Sequence, residues 1–161
     1  MSDKELKDKG GEHPFGDAGQ LILFAVFILA WIVDSFFLHL TTQLASYVPL
    51  VPRLVVAGLI LALGLYLMAV SHKIIEKIKR PDGVVSSGAF RYVRHPLYLA
   101  AILFYLGMTL TTLSLACVAL CVVIFLFYNF IAGYEEKLLL ARYGNDYRDY
   151  LKRVGRWLPR L

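Results

Sequence analysis

Charged residues are absent from long stretches of this chain and gathered between them. The first apolar run is Leu21–Val33, extendable to Leu40 past Asp34 and His39; the second is Leu54–Val70. The third, Leu97–Ala132, holds 36 consecutive positions without Asp, Glu, Lys or Arg. A membrane-spanning helix takes about 20 apolar residues. As one helix the third run would be roughly 54 Å long, against a hydrocarbon core of about 30 Å. It must fold back, and Thr109–Ser114, with three Thr and one Ser, is its least apolar stretch. The pattern therefore predicts an all-α, polytopic membrane protein of four transmembrane helices, the last two forming a hairpin. Arg80-Pro81-Asp82-Gly83 breaks the second helix as it leaves the membrane, and Arg94-His95-Pro96 opens the third, with Pro96 where a missing N–H costs little. Tyr134–Tyr143 is strongly helix-forming, and Gly144-Asn145 stops it. Asp146–Lys152 then reads as a further amphipathic turn or two, giving a C-terminal helical extension outside the bilayer, and Trp157 suits the membrane interface. Residues 1–18 form a polar tail and 19–161 a single membrane domain, whose candidate chemistry lies within about 72–161.

Composition sharpens this picture. Of 161 residues, 58% are hydrophobic and 18% charged, more apolar surface than a soluble domain of this length could hide. Lys and Arg number three before the first span, one in the next connection, six in Ser71–Pro96, none in the hairpin turn and seven from Gly133 onward. That alternation predicts that the N- and C-termini are both cytoplasmic. The net charge of +5 fits attraction to anionic lipid, so the bilayer is the expected partner, with no nucleic acid and no protein partner inferred. The polar first twenty residues do not read as a signal peptide. Cys117 and Cys121 lie one turn apart with no His or carboxylate on the same helix and read as small buried hydrophobes, so no metal site is expected. Asp34 is a functional candidate because it sits in a span, but pairing near the outer interface is the favoured reading.

Two segments carry an unusual density of functional groups: Arg91, Tyr92, Arg94, His95 and Tyr98 where the third helix begins, and Tyr134, Glu135, Glu136, Arg142 and Tyr143 where the fourth ends. A hairpin between these helices brings the two sets together. Helix N-terminal N–H groups suit an anion such as a carboxylate, and an acidic pair suits a cation or ribose hydroxyls. A small zwitterion could bridge them. The plainer alternative is a bank of interfacial charges facing lipid phosphates.

Ser87-Gly88-Ala89-Phe90-Arg91, Arg94-His95-Pro96-Leu97-Tyr98, Glu135-Glu136, Tyr143-Gly144, Tyr147, Tyr150 and Pro159 together resemble the isoprenylcysteine carboxyl methyltransferases and the related phospholipid N-methyltransferases. The resemblance covers about residues 70–161. It implies methyl transfer from S-adenosylmethionine to a lipid or lipidated small molecule. Carried over by motif position, Asp82, Gly83, Val84 and Val85 would line the cofactor's path and Phe90 would pack on it. His95, Pro96, Leu97 and Tyr98 would hold its amino-acid end, with Glu135 and Glu136 completing the pocket. Glu136, His95 and Arg94 are the residues it marks for catalysis. The carboxyl-methylating branch carries an Arg about one turn before its second acidic residue, where this chain has Ile131, Ala132 and Gly133. A carboxylate acceptor would then need Arg91, Arg94 or Arg142 to stand in, and phospholipid amine N-methylation is the alternative. Two readings of other classes remain: an NADPH-dependent membrane reductase on a similar helical plan, and a non-catalytic lipid-binding protein.

Overall fold

The computed structural model describes residues 16–77 and 83–160. Most of the expected polar tail, the Arg80-Pro81 break and Asp82 of the expected cofactor set lie outside the described residues.

The described residues form four apolar helices and one amphipathic helix, with short 3-10 turns between them. Helix α1, Gly16–Ile32, continues as a π-helical stretch, Val33–Leu38. Its described part takes in residues 16–20 ahead of the apolar run that begins at Leu21. Helix α2 is Leu50–Lys77, α3 Pro96–Thr112 and α4 Leu115–Tyr143. The predicted hairpin is present: α3 ends at Thr112, Leu113 adopts the left-handed conformation, and Ser114 caps α4 by accepting from the Cys117 N–H. Three helices are long and apolar enough to span a bilayer, and α3, with 17 residues, stands at the lower end of the spanning range. Only 17% of the apolar windows of α1 and α2, and 28% of that of α4, is buried within the protein, so most of their surface is left for lipid. An integral membrane protein follows.

Helix α4 has 29 residues, about 44 Å, so one end must leave a hydrocarbon core of roughly 30 Å. That end is Tyr134–Tyr143. Gly144, at φ 56°, then turns the chain into helix α5, Asn145–Arg153. Helices α2 and α3 pack most extensively against each other. Their backbones approach where side chains are small: a Cβ on Gly107 would stand 2.7 Å from Leu61 Cδ2, and one on Gly64 would stand 3.2 Å from the Ala100 carbonyl oxygen. The apolar core is Phe27, Tyr105, Cys117, Ile124 and Tyr128, with Phe27 edge-on to Tyr105 at 4.9 Å.

At the hairpin end Asp34 is buried. It accepts hydrogen bonds from the Thr41 N–H (3.0 Å), the Thr41 hydroxyl (2.6 Å) and the Ser114 hydroxyl (2.5 Å). Leu115 N–H donates in turn to the Thr41 carbonyl at 3.0 Å, and Ala116 N–H to the Thr41 hydroxyl at 3.0 Å. The π-helical stretch carries Asp34 at its start, and the knot ties the end of α1 to the start of α4. The pairing expected of Asp34 is present.

Candidate functional site

The opposite end of the bundle gathers the chemistry. A 3-10 turn, Gly88–Arg91, precedes α3, and Gly88 is left-handed at φ 56°. Val93 forms a parallel bridge with Gly155, and Arg94 N–H donates to the Gly155 carbonyl at 2.9 Å. The Tyr150 hydroxyl donates to the Phe90 carbonyl at 2.6 Å. The C-terminal segment is therefore laced to the approach of α3. Pro96 is fully buried in the first turn of that helix, its expected place.

These contacts bring the two sequence sets together. His95 Nε2 lies 3.2 Å from Glu136 Oε1, and His95 Nδ1 lies 3.5 Å from Glu135 Oε2, so each ring nitrogen faces a carboxylate. Tyr98 stacks on His95, with ring centroids 5.6 Å apart and planes 5° from parallel, and its hydroxyl donates to Glu135. Arg94 Nε stands 3.3 Å from Glu136 Oε1, close enough for ion pairing, yet it makes no hydrogen bond. That N–H is buried and faces Glu136, while the Arg94 side chain also lines a cavity.

Two residues that sequence reasoning did not place here complete the cluster. Arg156 grips Glu136 with two prongs, Nε to Oε1 at 2.9 Å and Nη2 to Oε2 at 2.5 Å, while its Nη1 donates to Asn129 Oδ1 at 2.9 Å. This contact raises the Arg156 pKa, chiefly through the hydrogen bond to Glu136. Trp157, expected at the membrane interface, is folded back: its Nε1 donates to Asn129 at 3.2 Å and its ring lies 6.1 Å from that of His95. In sequence, Arg156 is one of seven cations after Gly133, and nothing distinguishes it from the others. The missing Arg one turn before Glu136 thus has a spatial counterpart. A Cβ on Gly133 would lie 3.8–3.9 Å from the two Nη atoms of Arg156, so this guanidinium stands over the glycine.

Two cavities meet at this cluster. One, of about 210 Å³, is lined by Gly83, Val84, Val85 and Phe90, by Arg94, His95 and Glu135, and by Leu139 and tyrosines 143, 147 and 150. The other, of about 390 Å³, draws on all four apolar helices: Gly16, Asp17 and Gln20; Met68 and His72; Leu97, Tyr98 and Ala101; Ile131 and Glu135. Glu135 lines both. Leu97 and Tyr98 face the second cavity rather than the first, and Glu136 lies behind, held by Arg156, Arg94 and His95. Neither Arg91 nor Arg142 lines these two cavities. The first cavity has apolar walls, an aromatic ring, a cation and a carboxylate. Its lining, with the Arg94 cation near the Glu135 carboxylate and with Phe90 and three tyrosines as aromatic walls, fits a cofactor with a flat aromatic part and a zwitterionic end.

The phospholipid methyltransferase family profile matches residues 52–146, more than half of the chain, and the protein belongs to that family. The paired motifs at the start of α3 and the end of α4 fall within the match. No curated protein and no solved structure matches the chain.

Proposed function

We propose that this phospholipid methyltransferase family member moves a methyl group from S-adenosylmethionine to a headgroup amine of a lipid, at the cytoplasmic face of its membrane. The observation that carries the reading is the pair of cavities joined at Glu135, one shaped for a zwitterionic cofactor and one reaching among the apolar helices. Membership of the family supports methyl transfer to a lipid-type substrate. The charge alternation of the connections, with its excess of Lys and Arg at the site's end, supports the cytoplasmic orientation.

In this reading Phe90, Val84, Val85 and Gly83 take the adenosine part of the donor, and Arg94 holds its carboxylate. His95 and Glu136 keep Arg94 and the start of α3 in register. S-adenosylmethionine, when bound, supplies a methyl group on a positive sulfur that departs as a neutral thioether, keeping the electrons of the broken C–S bond. What remains for the protein is alignment of donor and acceptor at about 3–3.5 Å and exclusion of water. An amine must shed a proton before its lone pair can form the new bond to carbon. Glu135, at the junction of the cavities, is the group in place to accept that proton.

The choice of an amine over a carboxylate rests on the second cavity. Among the described residues it is lined by Asp17 and Glu135 with no Lys or Arg, and Arg156 is committed to Glu136. An ionised acceptor carboxylate there would meet like charge, whereas an ammonium headgroup would be drawn in.

The test is calorimetric titration of S-adenosylhomocysteine into the detergent-purified protein, followed by labelled methyl transfer in mixed micelles. One micelle carries phosphatidylethanolamine and the other a prenylated cysteine. Binding with label on the amine lipid is the expected result. Label on the prenylcysteine alone would overturn the amine assignment. Absence of binding, with hydride transfer from NADPH or with salt-sensitive lipid binding alone, would establish one of the two other classes.

A further inference from the structure

Arg156 lies outside both cavities and beyond the family match, yet its contacts run to the centre of the site. A guanidinium is a rigid planar fork, and a two-pronged grip on a carboxylate fixes the plane of that carboxylate as well as its place. Here the gripped group is Glu136, whose Oε1 also faces His95 Nε2 at 3.2 Å and Arg94 Nε at 3.3 Å. His95 and Arg94 line the first cavity, whereas Glu136 and Arg156 do not. We propose that Arg156 is a positioning residue: acting through Glu136, it sets Arg94 and His95 at the angle at which the first cavity holds the donor. This inference rests on the methyltransferase reading above.

Three observations support a role beyond holding the C-terminal segment in place. The segment is anchored without the Arg156 side chain, by the Arg94–Gly155 backbone bond, by Tyr150 on Phe90 and by Trp157 on Asn129. The third arm of the guanidinium is held by Asn129, so the fork is fixed at two points two turns apart on one face of α4. The guanidinium lies directly over Gly133, where a Cβ would stand at ordinary contact distance, 3.8–3.9 Å, from both Nη atoms, so the fork packs against α4 itself.

Gly133 also supplies a decisive variant. An Arg at 133 would sit three residues before Glu136 on the same helix face and reach it from the other side of the same space. The experiment measures S-adenosylhomocysteine affinity, and the separate KM values for methyl donor and lipid acceptor, in R156A, R156K and the double variant G133R/R156A. R156A should bind the donor analogue about tenfold or more weakly, with donor KM raised and acceptor KM unchanged. R156K, a point charge without the fork, should recover part of the loss, and G133R/R156A most of it. Donor affinity in R156A within about twofold of wild type would overturn the proposal, as would a loss that neither R156K nor G133R/R156A recovers. Failure of the wild type itself to bind S-adenosylhomocysteine would instead remove the methyltransferase reading and this inference with it.

Discussion

Asp34 and Glu136 are both buried carboxylates, and the bundle holds them at opposite ends. Asp34 is met by two hydroxyls and a backbone N–H, with no cation among these partners and neither of the two cavities at its side. Every donor there is neutral, and the acid joins two chain reversals, the turn after α1 and the α3–α4 hairpin, so it closes that end of the bundle. Glu136 is met by two guanidiniums and an imidazole, and its neighbours line cavities. So many charged groups in one buried place cost more desolvation than a structural tie requires. The contrast separates a lock from a site: a buried acid served by neutral donors holds the fold, and one embedded among cations beside open volume is arranged for a ligand.

The largest effect that would sharpen this contrast is on turnover. Glu136→Gln keeps the shape of the side chain but releases Arg94 and Arg156 from its charge. Turnover should fall roughly 100-fold, as for a misplacement of about an ångström, with the unfolding midpoint only modestly lowered. His95→Ala should act in the same direction. A labelled-donor assay on both variants checks this, and activity near wild type in both would dissolve the site assignment.

Asp34→Ala should do the reverse. It leaves three buried or half-buried donors without their acceptor, a loss of about 2–4 kcal/mol of stability. Donor binding per folded molecule should stay unchanged. Unfolding curves in detergent read the first quantity, calorimetry the second.

A smaller effect concerns the tyrosines that pack α5 under the site. Burial pushes the Tyr150 phenol up from 10.0 to about 12, with Arg94 opposing and Glu136 adding to the rise. Tyr147 is raised further, first by burial and then by Glu136. Because the folded pKa values lie above the unfolded ones, this contribution is complete below pH 10 and is lost as the pH climbs through about 12. Tyrosinate absorbance and donor binding should therefore change together in that window, while the Asp34 end stays intact. Cys121→Ala should have the least effect. It removes a thiol 3.2 Å from the Thr109 hydroxyl and should shift stability by about 1 kcal/mol or less, with turnover unchanged.

The helix count, the hairpin and the meeting of the two motif segments were all legible in the sequence. Runs of uncharged residues have to match a bilayer of fixed thickness, and a run too long for one crossing has to turn. That argument gave the α3–α4 hairpin within Thr109–Ser114, and hence the adjacency of His95 with Glu135 and Glu136. Arg156 and Asn129 were not legible at all. The charge of Arg156 resembles that of the cations around it, and Asn129, the one side-chain amide in Leu97–Ala132, does not show by itself which distant group it meets; their importance arises from contacts 20 to 27 residues apart.

What the sequence determined by itself is the class of protein, the number of helices and the residue types at the site, because hydropathy, loop charge and paired motifs act locally or along single helices. Only the tertiary structure decided that Asp34 locks the hairpin end, that Glu135 stands between two cavities while Glu136 lies behind them, and that the guanidinium over Gly133 comes from Arg156. The direction of a side chain at a helix junction is set by the segments that fold back onto it. Here that segment is the C-terminal strap running from Tyr150 to Trp157.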